Sequence, residues 1–357
     1  MRKLGEKVLI TGNEAIGEAA IKAGCRFFFG YPITPQNKIP EYLSYRLPQV
    51  GGCFIQAESE IAAIYMVFGA AGAGARVMTS SSSPGISLKQ EGISYIAGAE
   101  LPCVIVNVMR GGPGLGGILP SQADYFQATK GGGHGGYHML VLAPSTVQET
   151  ADLMADAFDL ADKYRNPVMV LADGYIGQIM EPVEFKERPQ KVLPPKDWAL
   201  TGAKNRPRNL IKSLYLDPEE LEQHNLKLHR KYLEMAKNEV RVETHLTEDA
   251  EIIIAAYGTV ARIAKTAIKM LRERGIKVGL VRPITVFPFP YETFAKISEK
   301  VDNILVVEMS LGQMIEDVKL GVCGKAKVHF YGRTGGMVPT YDEIVTQIEK
   351  IVKEEVA

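Results

Sequence analysis

The sequence contains few cysteines, and none of them are paired at metal-binding spacing. Four residues, Cys25, Cys53, Cys103 and Cys323, are scattered over 357 positions without a C-x-x-C pair. Zinc sites and iron–sulfur clusters need closely spaced thiolates, and a disulfide framework needs a denser pattern. The pattern therefore argues against all three in this chain. We predict that the cysteines are small buried apolar residues.

A net charge and long apolar runs are absent as well. The 41 basic and 41 acidic residues cancel, and no basic cluster resembles a nucleic-acid or membrane-surface patch. No apolar run is long enough to span a bilayer, and residues 1–10 lack the pattern of a cleavable signal. We therefore expect a cytoplasmic protein that binds neither nucleic acid nor a membrane.

What the sequence does contain is a repeated alternation of short apolar runs with segments of helical pattern. This alternation is typical of doubly wound α/β folds with parallel sheets, and 357 residues suffice for two domains. Prolines and charged residues interrupt it, and within the interruption Asp217-Pro218 begins one amphipathic helix. We predict an α/β domain over residues 1–185, a linker with a docking helix over 186–245, and a second domain of parallel strands over 246–357.

One acidic residue stands at the start of a helix that is rich in small residues. Ser59 is predicted to cap this helix, which puts Glu60 in the first turn at the positive end of the backbone dipole. Large apolar residues at helical spacing predict a buried face: Ile61, Ile64, Tyr65 and Phe68. A second face is nearly bare and would admit a backbone or a flat ligand: Ala62, Gly69, Ala70 and Ala73. Taken alone, the pattern favours a purely structural role for Glu60 as a first-turn acid.

Three further motifs stand at predicted strand ends, where ligands bind in open parallel sheets. Residues 31–35, Tyr-Pro-Ile-Thr-Pro, place one hydroxyl between two stiff prolines, although Thr34 could simply cap the next helix. Residues 80–85 form a loop dense in hydroxyls. Arg110 follows the apolar run 104–109 and precedes a glycine loop, and its guanidinium suits recognition of a carboxylate.

Two other glycine-rich segments are weaker signals. Gly112, Gly114 and Gly117 have the spacing of a dinucleotide fingerprint, but the residues that follow do not open a helix and no acidic partner appears at the expected distance. Residues 333–336, Arg-Thr-Gly-Gly, could bind an anion, although a solvated turn explains them more simply.

In this order and spacing, the motifs resemble those of the alpha subunit of the 2-oxoacid:ferredoxin oxidoreductases. The resemblance covers about residues 5–350 and is most specific at residues 31–35. It implies a thiamine-diphosphate pyrimidine-binding-like domain joined to a transketolase-C-terminal-like domain, which agrees with the predicted α/β class of two doubly wound parallel sheets.

The resemblance implies a role for each motif. Glu60 matches the catalytic carboxyl that shares a proton with N1′ of the thiamine aminopyrimidine. Thr34 and Arg110 match the contacts to the substrate carboxylate and carbonyl. Further cofactor contacts are implied for residues of two motifs: Tyr31, Pro32, Ile33, Ser82 and Ser83. No metal ligand is implied in this chain.

The resemblance also implies partner subunits. The family's diphosphate and metal motif, Gly-Asp-Gly followed by Asn, is absent, and Ala172-Asp173-Gly174 is the nearest string. Thiamine diphosphate is therefore expected to be shared with a beta subunit, and Mg²⁺ and an iron–sulfur cluster to reside only in partner subunits. A gamma subunit and a ferredoxin-like subunit are also expected, with no activity from this chain alone. The implied reaction is oxidative decarboxylation of a 2-oxoacid with coenzyme A, which yields acyl-CoA and passes electrons to ferredoxin.

Residues 111–137 are the part of the sequence that bears on which substrate tail the site binds. In this stretch Lys130 is the only lysine or arginine, and apolar residues alternate with glycine. A 2-oxoglutarate tail needs a second cation, whereas a branched tail needs apolar walls. The stretch favours branched-chain 2-oxoacids of the 2-oxoisovalerate type, unless Lys130 supplies that cation. Two alternatives remain. An indolepyruvate-type enzyme would carry cluster motifs in the same chain, and a non-catalytic interaction subunit would lack Glu60.

Overall fold

A computed structural model describes residues 7–186 and 191–356. Residues 7–186 contain eight strands and seven helices: β1 (Lys7–Thr11), α1 (Gly12–Lys22), β2 (Phe27–Gly30), α2 (Lys38–Gln49), β3 (Cys53–Gln56), α3 (Glu60–Gly72), β4 (Val77–Ser81), α4 (Pro84–Gly98), β5 (Cys103–Met109), α5 (Tyr125–Thr129), β6 (Leu140–Leu142), α6 (Val147–Tyr164), β7 (Pro167–Asp173), α7 (Gly174–Gln178) and β8 (Met180–Glu184). The elements of residues 191–356 begin with the long helix and continue the alternation: α8 (Pro218–Asn238), β9 (Val242–His245), β10 (Ile252–Ala255), α9 (Gly258–Glu273), β11 (Val278–Pro283), β12 (Thr285–Phe287), α10 (Tyr291–Ile297), β13 (Asn303–Glu308), α11 (Met314–Val322), β14 (Lys327–Gly332) and α12 (Tyr341–Val356).

The larger sheet has seven strands in the order β12-β6-β7-β5-β4-β2-β3. All pairs are parallel except β12–β6, and β4, β5 and β7 are buried at every position, as expected for a sheet covered on both faces. The chain passes from β2 to β3 on one side and returns to β4 on the other. The switch point of this sheet therefore lies between β2 and β4, and ligands bind outside the carboxyl ends at such points.

The smaller sheet has five strands in the order β14-β13-β10-β11-β9. Four of them are parallel, as predicted, and the fifth, β9, pairs antiparallel with β11. Since β10 pairs with both β11 and β13, this sheet has its own switch point between β10 and β13. A two-stranded antiparallel ribbon of β1 and β8 lies apart from both sheets.

Strands cross the predicted domain limits. β9 falls within residues 186–245, the predicted linker, yet it completes the smaller sheet. β12 falls within residues 246–357, yet it pairs with β6 at the edge of the larger sheet. The sequence does not mark either segment as a strand: β9, Val-Glu-Thr-His, has no apolar run, and β12, Thr-Val-Phe, stands between two prolines. The limits drawn from composition remain an interpretation of the sequence.

Helix α8 lies along the first domain, with the cap that the sequence predicts. The Asp217 side chain accepts a hydrogen bond from the Glu220 amide at 3.0 Å. The sequence places Leu221, Leu228, Tyr232 and Met235 in one apolar stripe of this helix. Leu228, Tyr232 and Met235 are buried, whereas Leu221 is exposed. The buried stripe is therefore shorter than predicted and begins at Leu228.

The cysteines are not all buried. Cys25 and Cys103 are buried and Cys53 is half-buried, but Cys323 is exposed, so the prediction is wrong for that residue. Cys323 ends α11 in a left-handed conformation at the surface. Among residues 7–186 and 191–356, no group of three or more His, Cys, Asp or Glu side chains is placed to hold a metal ion. No helix in these same ranges combines the length and apolarity that crossing a bilayer requires.

Candidate active site

The predicted site residues lie at the carboxyl ends of four adjacent strands. Residues 31–34 follow β2, Glu60 follows β3, Ser82 and Ser83 follow β4, and Arg110 follows β5. The strands are parallel neighbours in the order β5-β4-β2-β3, so their carboxyl ends share one edge of the sheet. The group straddles the switch point between β2 and β4, the position at which open α/β sheets bind ligands.

Glu60 is the first residue of α3, and only 6% of it is exposed. The Ser59 hydroxyl oxygen accepts a hydrogen bond from the Ala62 amide at 3.2 Å, which confirms the predicted cap. The Glu60 side chain lies against Gly85: a Cβ added to Gly85 would fall 2.7 Å from Glu60 Oε1 and 2.1 Å from Ser81 Oγ. The lack of a side chain at Gly85 therefore lets the carboxylate approach β4.

The rest of α3 differs from the prediction. Ile61 and Tyr65 are 47% and 38% exposed, and Phe68 is only partly buried. Besides Glu60, the buried positions are Ala63, Ile64, Val67, Ala71 and Gly72. The reason is close packing of α3 on α4, since a Cβ on Gly92 of α4 would fall 2.4 Å from Ile64 Cγ2. Ile64 fills the space that Gly92 leaves, and the neighbouring Ile61 and Tyr65 lie on the outer side of α3.

A buried lysine lies beside Glu60. Lys89, in α4, has no exposed surface, and its Nζ donates to the Glu60 carbonyl oxygen at 3.3 Å. Burial lowers the pKa of Lys89 to about 8, and the charge of Glu60 opposes that shift. Sequence analysis missed this residue because a lone lysine in a helix normally lies at the surface.

Several buried polar atoms on β4 and at the carboxyl ends of β4 and β5 have no hydrogen-bond partner. They are Thr79 Oγ1, Ser81 Oγ, Ser82 Oγ and Arg110 Nε. Such atoms are rare in folded proteins, and each calls for a ligand, a water or a functional role. All four belong to β4 or to the residues at the ends of β4 and β5. The hydroxyls and the buried carboxylate fit the pyrimidine half of thiamine diphosphate.

Arg110 and Thr34 are brought together. Arg110 is buried, with its Nη1 donating to the Thr34 carbonyl oxygen at 2.9 Å and its Nη2 to the Leu115 carbonyl oxygen at 3.2 Å. The Thr34 hydroxyl accepts from Asn37 Nδ2 at 3.2 Å. Helix α2 begins only at Lys38, so Thr34 does not cap it. The local alternative of a simple helix cap is therefore wrong.

Residues 31–33 form the rim of the site. Tyr31 and Pro32 are exposed and Ile33 is partly buried. The Tyr31 carbonyl oxygen accepts from Gln36 Nε2 at 3.2 Å, and Gln36 Oε1 accepts from the Ser80 hydroxyl at 2.6 Å. Gln36 thus ties the loop after β2 to β4 across the switch point. The backbone of the rim is fixed, while the Tyr31 and Pro32 side chains face solvent.

One carboxylate that sequence analysis missed lies behind Ser83. The Ser83 hydroxyl donates to Asp124 Oδ2 at 2.6 Å and accepts from the Arg110 amide at 3.0 Å. Asn107 Nδ2 donates to the same Oδ2 at 2.9 Å. Burial raises the pKa of Asp124, and the two hydrogen bonds oppose the rise. No local pattern marks Asp124, because Ser83 lies 41 residues away in the chain.

The string nearest to the missing diphosphate motif has a structural role. Asp173 Oδ1 accepts from the amides of Tyr175 and Ile176 at 2.9 and 3.1 Å and from the Thr259 hydroxyl at 2.9 Å. The carboxylate caps α7 and joins it to α9. Asp173 is buried, and burial raises its pKa against these hydrogen bonds. These contacts account for Asp173 without a metal ion.

The Arg333–Gly336 turn packs on the glycine loop. Arg333 pairs with Glu343 in α12, so its charge is already neutralised. A Cβ on Gly336 would fall 2.4 Å from Leu119 Cβ, and Gly335 lies close to Gly111. The turn supports the loop beyond Arg110, and an anion at Arg333 would compete with an existing ion pair.

Comparisons with known proteins show which protein family this chain belongs to. Residues 18–252 match the family model described as "pyruvate flavodoxin/ferredoxin oxidoreductase, thiamine diP-bdg". Residues 250–344 match "pyruvate:ferredoxin oxidoreductase core domain II". The chain belongs to the 2-oxoacid:ferredoxin oxidoreductase family. The family and the α/β fold class predicted from the sequence are thereby confirmed.

Members of the family resemble the chain along nearly its whole length. The ketoisovalerate oxidoreductase subunit VorB of Methanothermobacter marburgensis is 53% identical, covering 97% of this chain and 98% of its own. The 2-oxoglutarate synthase subunit KorA of Methanothermobacter thermautotrophicus is 39% identical, covering 97% and 99%.

Solved structures extend the comparison. The 2-oxoglutarate:ferredoxin oxidoreductase from Magnetococcus marinus, with 2-oxoglutarate, coenzyme A and succinyl-CoA bound, is similar with a TM-score of 0.86 at 26% identity. The match covers 97% of this chain but 65% of that one, so this chain is similar to only part of that longer polypeptide. A split-gene transketolase, an inactive beta4 tetramer, has a TM-score of 0.59 at 14% identity and covers 96% of this chain and 97% of its own, a likeness of fold alone.

Proposed function

We propose that this chain is the subunit that binds the pyrimidine end of thiamine diphosphate and the reacting end of the 2-oxoacid. Bound thiamine diphosphate supplies the carbon nucleophile and electron sink that decarboxylation of a 2-oxoacid requires. The observation that carries the proposal is the surroundings of Glu60, a buried carboxylate next to the unpaired Ser81 hydroxyl, with Gly85 leaving the space between them.

Glu60 holds a proton at N1′ of the pyrimidine ring in this proposal. The start of α3 favours a carboxylate there, because the helix dipole places positive charge at that end. Lys89 adds a buried ammonium group that donates to the Glu60 carbonyl oxygen. The unpaired Ser82 hydroxyl at the end of β4 is available to the ring's polar atoms.

Arg110 holds the substrate carboxylate. Its two Nη atoms are directed to backbone carbonyls, which orient the guanidinium, while its Nε has no partner. A guanidinium carries five N–H donors, so two such bonds leave donors for a carboxylate. Thr34 contributes the carbonyl that orients Arg110, and its hydroxyl accepts from Asn37 Nδ2.

Lys130 is unavailable as a second cation. It forms an ion pair with Asp317 of α11, and that buried carboxylate also accepts from the hydroxyls of Tyr125 and Tyr291 at 2.6 and 2.5 Å. Moving Lys130 to a substrate would leave Asp317 buried without its cation, at a cost of several kcal/mol. A distal carboxylate of 2-oxoglutarate therefore finds no free cation in residues 111–137.

The same stretch offers apolar surface to a branched tail. Leu115, Ile118 and Leu119 are 84%, 57% and 57% exposed beside Arg110. Identity also points this way, since two VorB ketoisovalerate subunits share 50–53% of residues with this chain and four KorA 2-oxoglutarate subunits share 37–39%. A VorA ketoisovalerate subunit is more distant, at 28%. We therefore favour a branched-chain 2-oxoacid of the 2-oxoisovalerate type, with 2-oxoglutarate as the alternative.

The remaining chemistry is assigned to partner subunits. A beta subunit would hold the diphosphate, Mg²⁺ and an iron–sulfur cluster, with gamma and ferredoxin-like subunits completing a complex that uses coenzyme A and reduces ferredoxin. The engagement of Asp173 in hydrogen bonds to α7 and Thr259 supports this division. Relatives named as subunits support it as well. The cytoplasmic location stays a prediction.

Steady-state kinetics on the assembled complex test the substrate. We expect a higher kcat/KM for 2-oxoisovalerate than for 2-oxoglutarate, and we expect Lys130→Met to leave that preference unchanged. Arg110→Met should lower kcat/KM for both substrates alike, because it addresses the carboxylate they share. A preference for 2-oxoglutarate that Lys130→Met abolishes would contradict the proposal.

Calorimetry on the isolated chain tests the division of the cofactor. We expect weak or undetectable binding of thiamine diphosphate with Mg²⁺, since the diphosphate and metal ligands are assigned to the partner. Tight Mg²⁺-dependent binding to this chain alone would overturn that assignment.

A further inference from the structure

Residues 121–126 are fastened to the smaller sheet at its switch point. The Gln122 amide donates to the Met309 carbonyl oxygen at 2.8 Å, and Gln122 Nε2 donates to the Tyr257 carbonyl oxygen at 2.9 Å. Gln122 Oε1 accepts from the Met309 amide at 2.9 Å. Tyr257 and Met309 follow β10 and β13, the strands that flank that switch point. Gln122 therefore occupies the crevice in which the second domain would otherwise bind a ligand.

Two more contacts fix the far end of the segment. The Phe126 amide donates to Gln313 Oε1 at 2.8 Å, and Gln313 Nε2 donates to the Ala123 carbonyl oxygen at 2.7 Å. Tyr125, which follows Asp124, bonds to buried Asp317. The segment is held from both sides of position 124 by α11 and the ends of the smaller sheet.

Asp124 bonds in the opposite direction, to the larger sheet. Its Oδ2 accepts from Ser83 and Asn107, and the Ser83 hydroxyl also accepts from the Arg110 amide. Ser83 has φ of +24°, which a residue with a side chain rarely adopts. Bonds on both its hydroxyl and its amide, the latter to Asn107 Oδ1 at 3.2 Å, hold it there. The backbone of Arg110 is thus tied through Ser83 to Asp124.

We propose that Asp124 is a positioning residue for substrate binding, through which the second domain sets the direction of the Arg110 guanidinium. The inference rests on the proposed role of Arg110. The second domain fixes residues 121–126, Asp124 fixes Ser83, and Ser83 fixes the start of the arginine side chain. Asp124 itself touches neither substrate nor cofactor.

Kinetics on the assembled complex separate this role from a general structural one. Asp124→Ala should raise KM for 2-oxoisovalerate about tenfold, because a misdirected Arg110 guanidinium binds the substrate carboxylate poorly. KM for coenzyme A should stay within about twofold. Asp124→Asn should restore KM to within about threefold, since an amide oxygen can accept both hydrogen bonds. The matched control is Asp302→Asn, an exposed aspartate of the second domain that should change neither constant. Equal rises in both KM values would overturn the proposal, and so would an asparagine variant as weak as the alanine variant.

A double-mutant cycle with Arg110→Met is the sharper test. If Asp124 acts through Arg110, adding Asp124→Ala to Arg110→Met should raise KM by less than about twofold further. If the rise in KM of the double variant equals the product of the two single rises, the residues act independently and the inference is overturned. Should Asp124→Ala fail to fold, Ser83→Ala breaks the same connection and takes its place in the cycle, with the same expected non-additivity. An unchanged KM in Arg110→Met would contradict the proposed function of Arg110. A KM that rises in Arg110→Met but not in Asp124→Ala would contradict only the inference about Asp124.

Discussion

The two sheets have equivalent crevices and use them in opposite ways. At the switch point of the larger sheet, between β2 and β4, buried hydroxyls of Ser81 and Ser82 lack partners. At the switch point of the smaller sheet, between β10 and β13, Gln122 satisfies the facing amide and carbonyl groups. Topology alone predicts a ligand at both. Hydrogen bonding distinguishes them: among the described residues, buried side-chain atoms without partners lie at the first crevice, and none lies at the second.

Two buried glutamates show the same contrast. Glu308, at the end of β13, accepts from the amides of Gln313, Met314 and Ile315 and from the Ser310 hydroxyl. Burial raises the pKa of Glu308, and these bonds oppose the rise. Glu60, after β3, instead lies beside an unpaired hydroxyl. Glu308 is a finished structural cap, whereas Glu60 has a neighbour that still needs a partner.

The largest effect expected concerns Glu60. Glu60→Gln should lower kcat of the assembled complex by about two to four powers of ten, because an amide cannot pass a proton to N1′. Complex assembly, followed by gel filtration, should be unchanged. The control is Glu58→Gln, because Glu58 is exposed and close to Glu60 in the chain; this change should lower kcat only slightly. Activity of Glu60→Gln close to that of the unmodified complex would contradict the catalytic assignment.

The next effect concerns the contact between Glu60 and α4. Gly85→Ala should lower kcat/KM about a hundredfold, because the new Cβ would displace the Glu60 carboxylate or Ser81, and misplacements of about 1 Å have such costs. Gly98→Ala, at the other end of α4, is the matched control: its Cβ would meet only Ser213 Cβ at an ordinary 3.6 Å. Equal kinetics for the two variants would show that Gly85 has no special place.

A third prediction addresses the filled crevice. Gln122→Ala should lower the free energy of unfolding by about 1–3 kcal/mol, because the Met309 amide is left buried without a partner. The Tyr257 carbonyl loses the bond from Gln122 and keeps the one from the Ala261 amide. Gln223→Ala, in an exposed position of α8, should change the free energy of unfolding by less than about 0.5 kcal/mol. Denaturant unfolding measures both. Thiamine diphosphate that stabilised the Gln122→Ala chain would instead indicate that the second crevice binds ligand.

The smallest effect concerns Lys89. Because burial lowers its pKa to about 8, the folded chain binds this proton more weakly than the unfolded chain does, so Lys89 makes stability rise between about pH 8 and pH 10.5. Lys89→Met removes the buried charge and should stabilise the chain most at or below pH 7, with the gain shrinking toward pH 10. Thermal midpoints measured from pH 6 to pH 10 test this. A gain that is independent of pH would show that Lys89 is not held with a lowered pKa.

Local patterns predicted what short-range physics decides. The Ser59 and Asp217 caps, the alternation of strands and helices, and the placement of Glu60, Arg110 and the serine loop at strand ends all follow from residues within a few positions of one another. The resemblance to the family then assigned the motifs at these separate strand ends to one active site. Their roles in binding remain predictions until the variants are measured.

What the sequence could not predict depends on partners far away in the chain. Gln122 meets its partners across 135 and 187 residues, and Asp124 meets Ser83 across 41. The spacing of Ile61, Tyr65 and Phe68 predicts a buried face of α3, because periodicity shows only that apolar residues share one side of a helix. The close packing of α4 on α3 decides which side is buried. β9 and β12 were missed for the same reason, since each is a strand only by virtue of the neighbour it pairs with.

The central claim is that thiamine diphosphate binds this chain at the crevice between β2 and β4 and that the second crevice is closed by the chain itself. A cryo-electron microscopy map of the assembled complex with thiamine diphosphate and Mg²⁺ tests it most directly. We predict a pyrimidine ring against Glu60, the diphosphate and metal on the partner subunit, and Gln122 still bonded to Tyr257 and Met309. A cofactor placed between β10 and β13, or one that touches no residue of this chain, would contradict the claim.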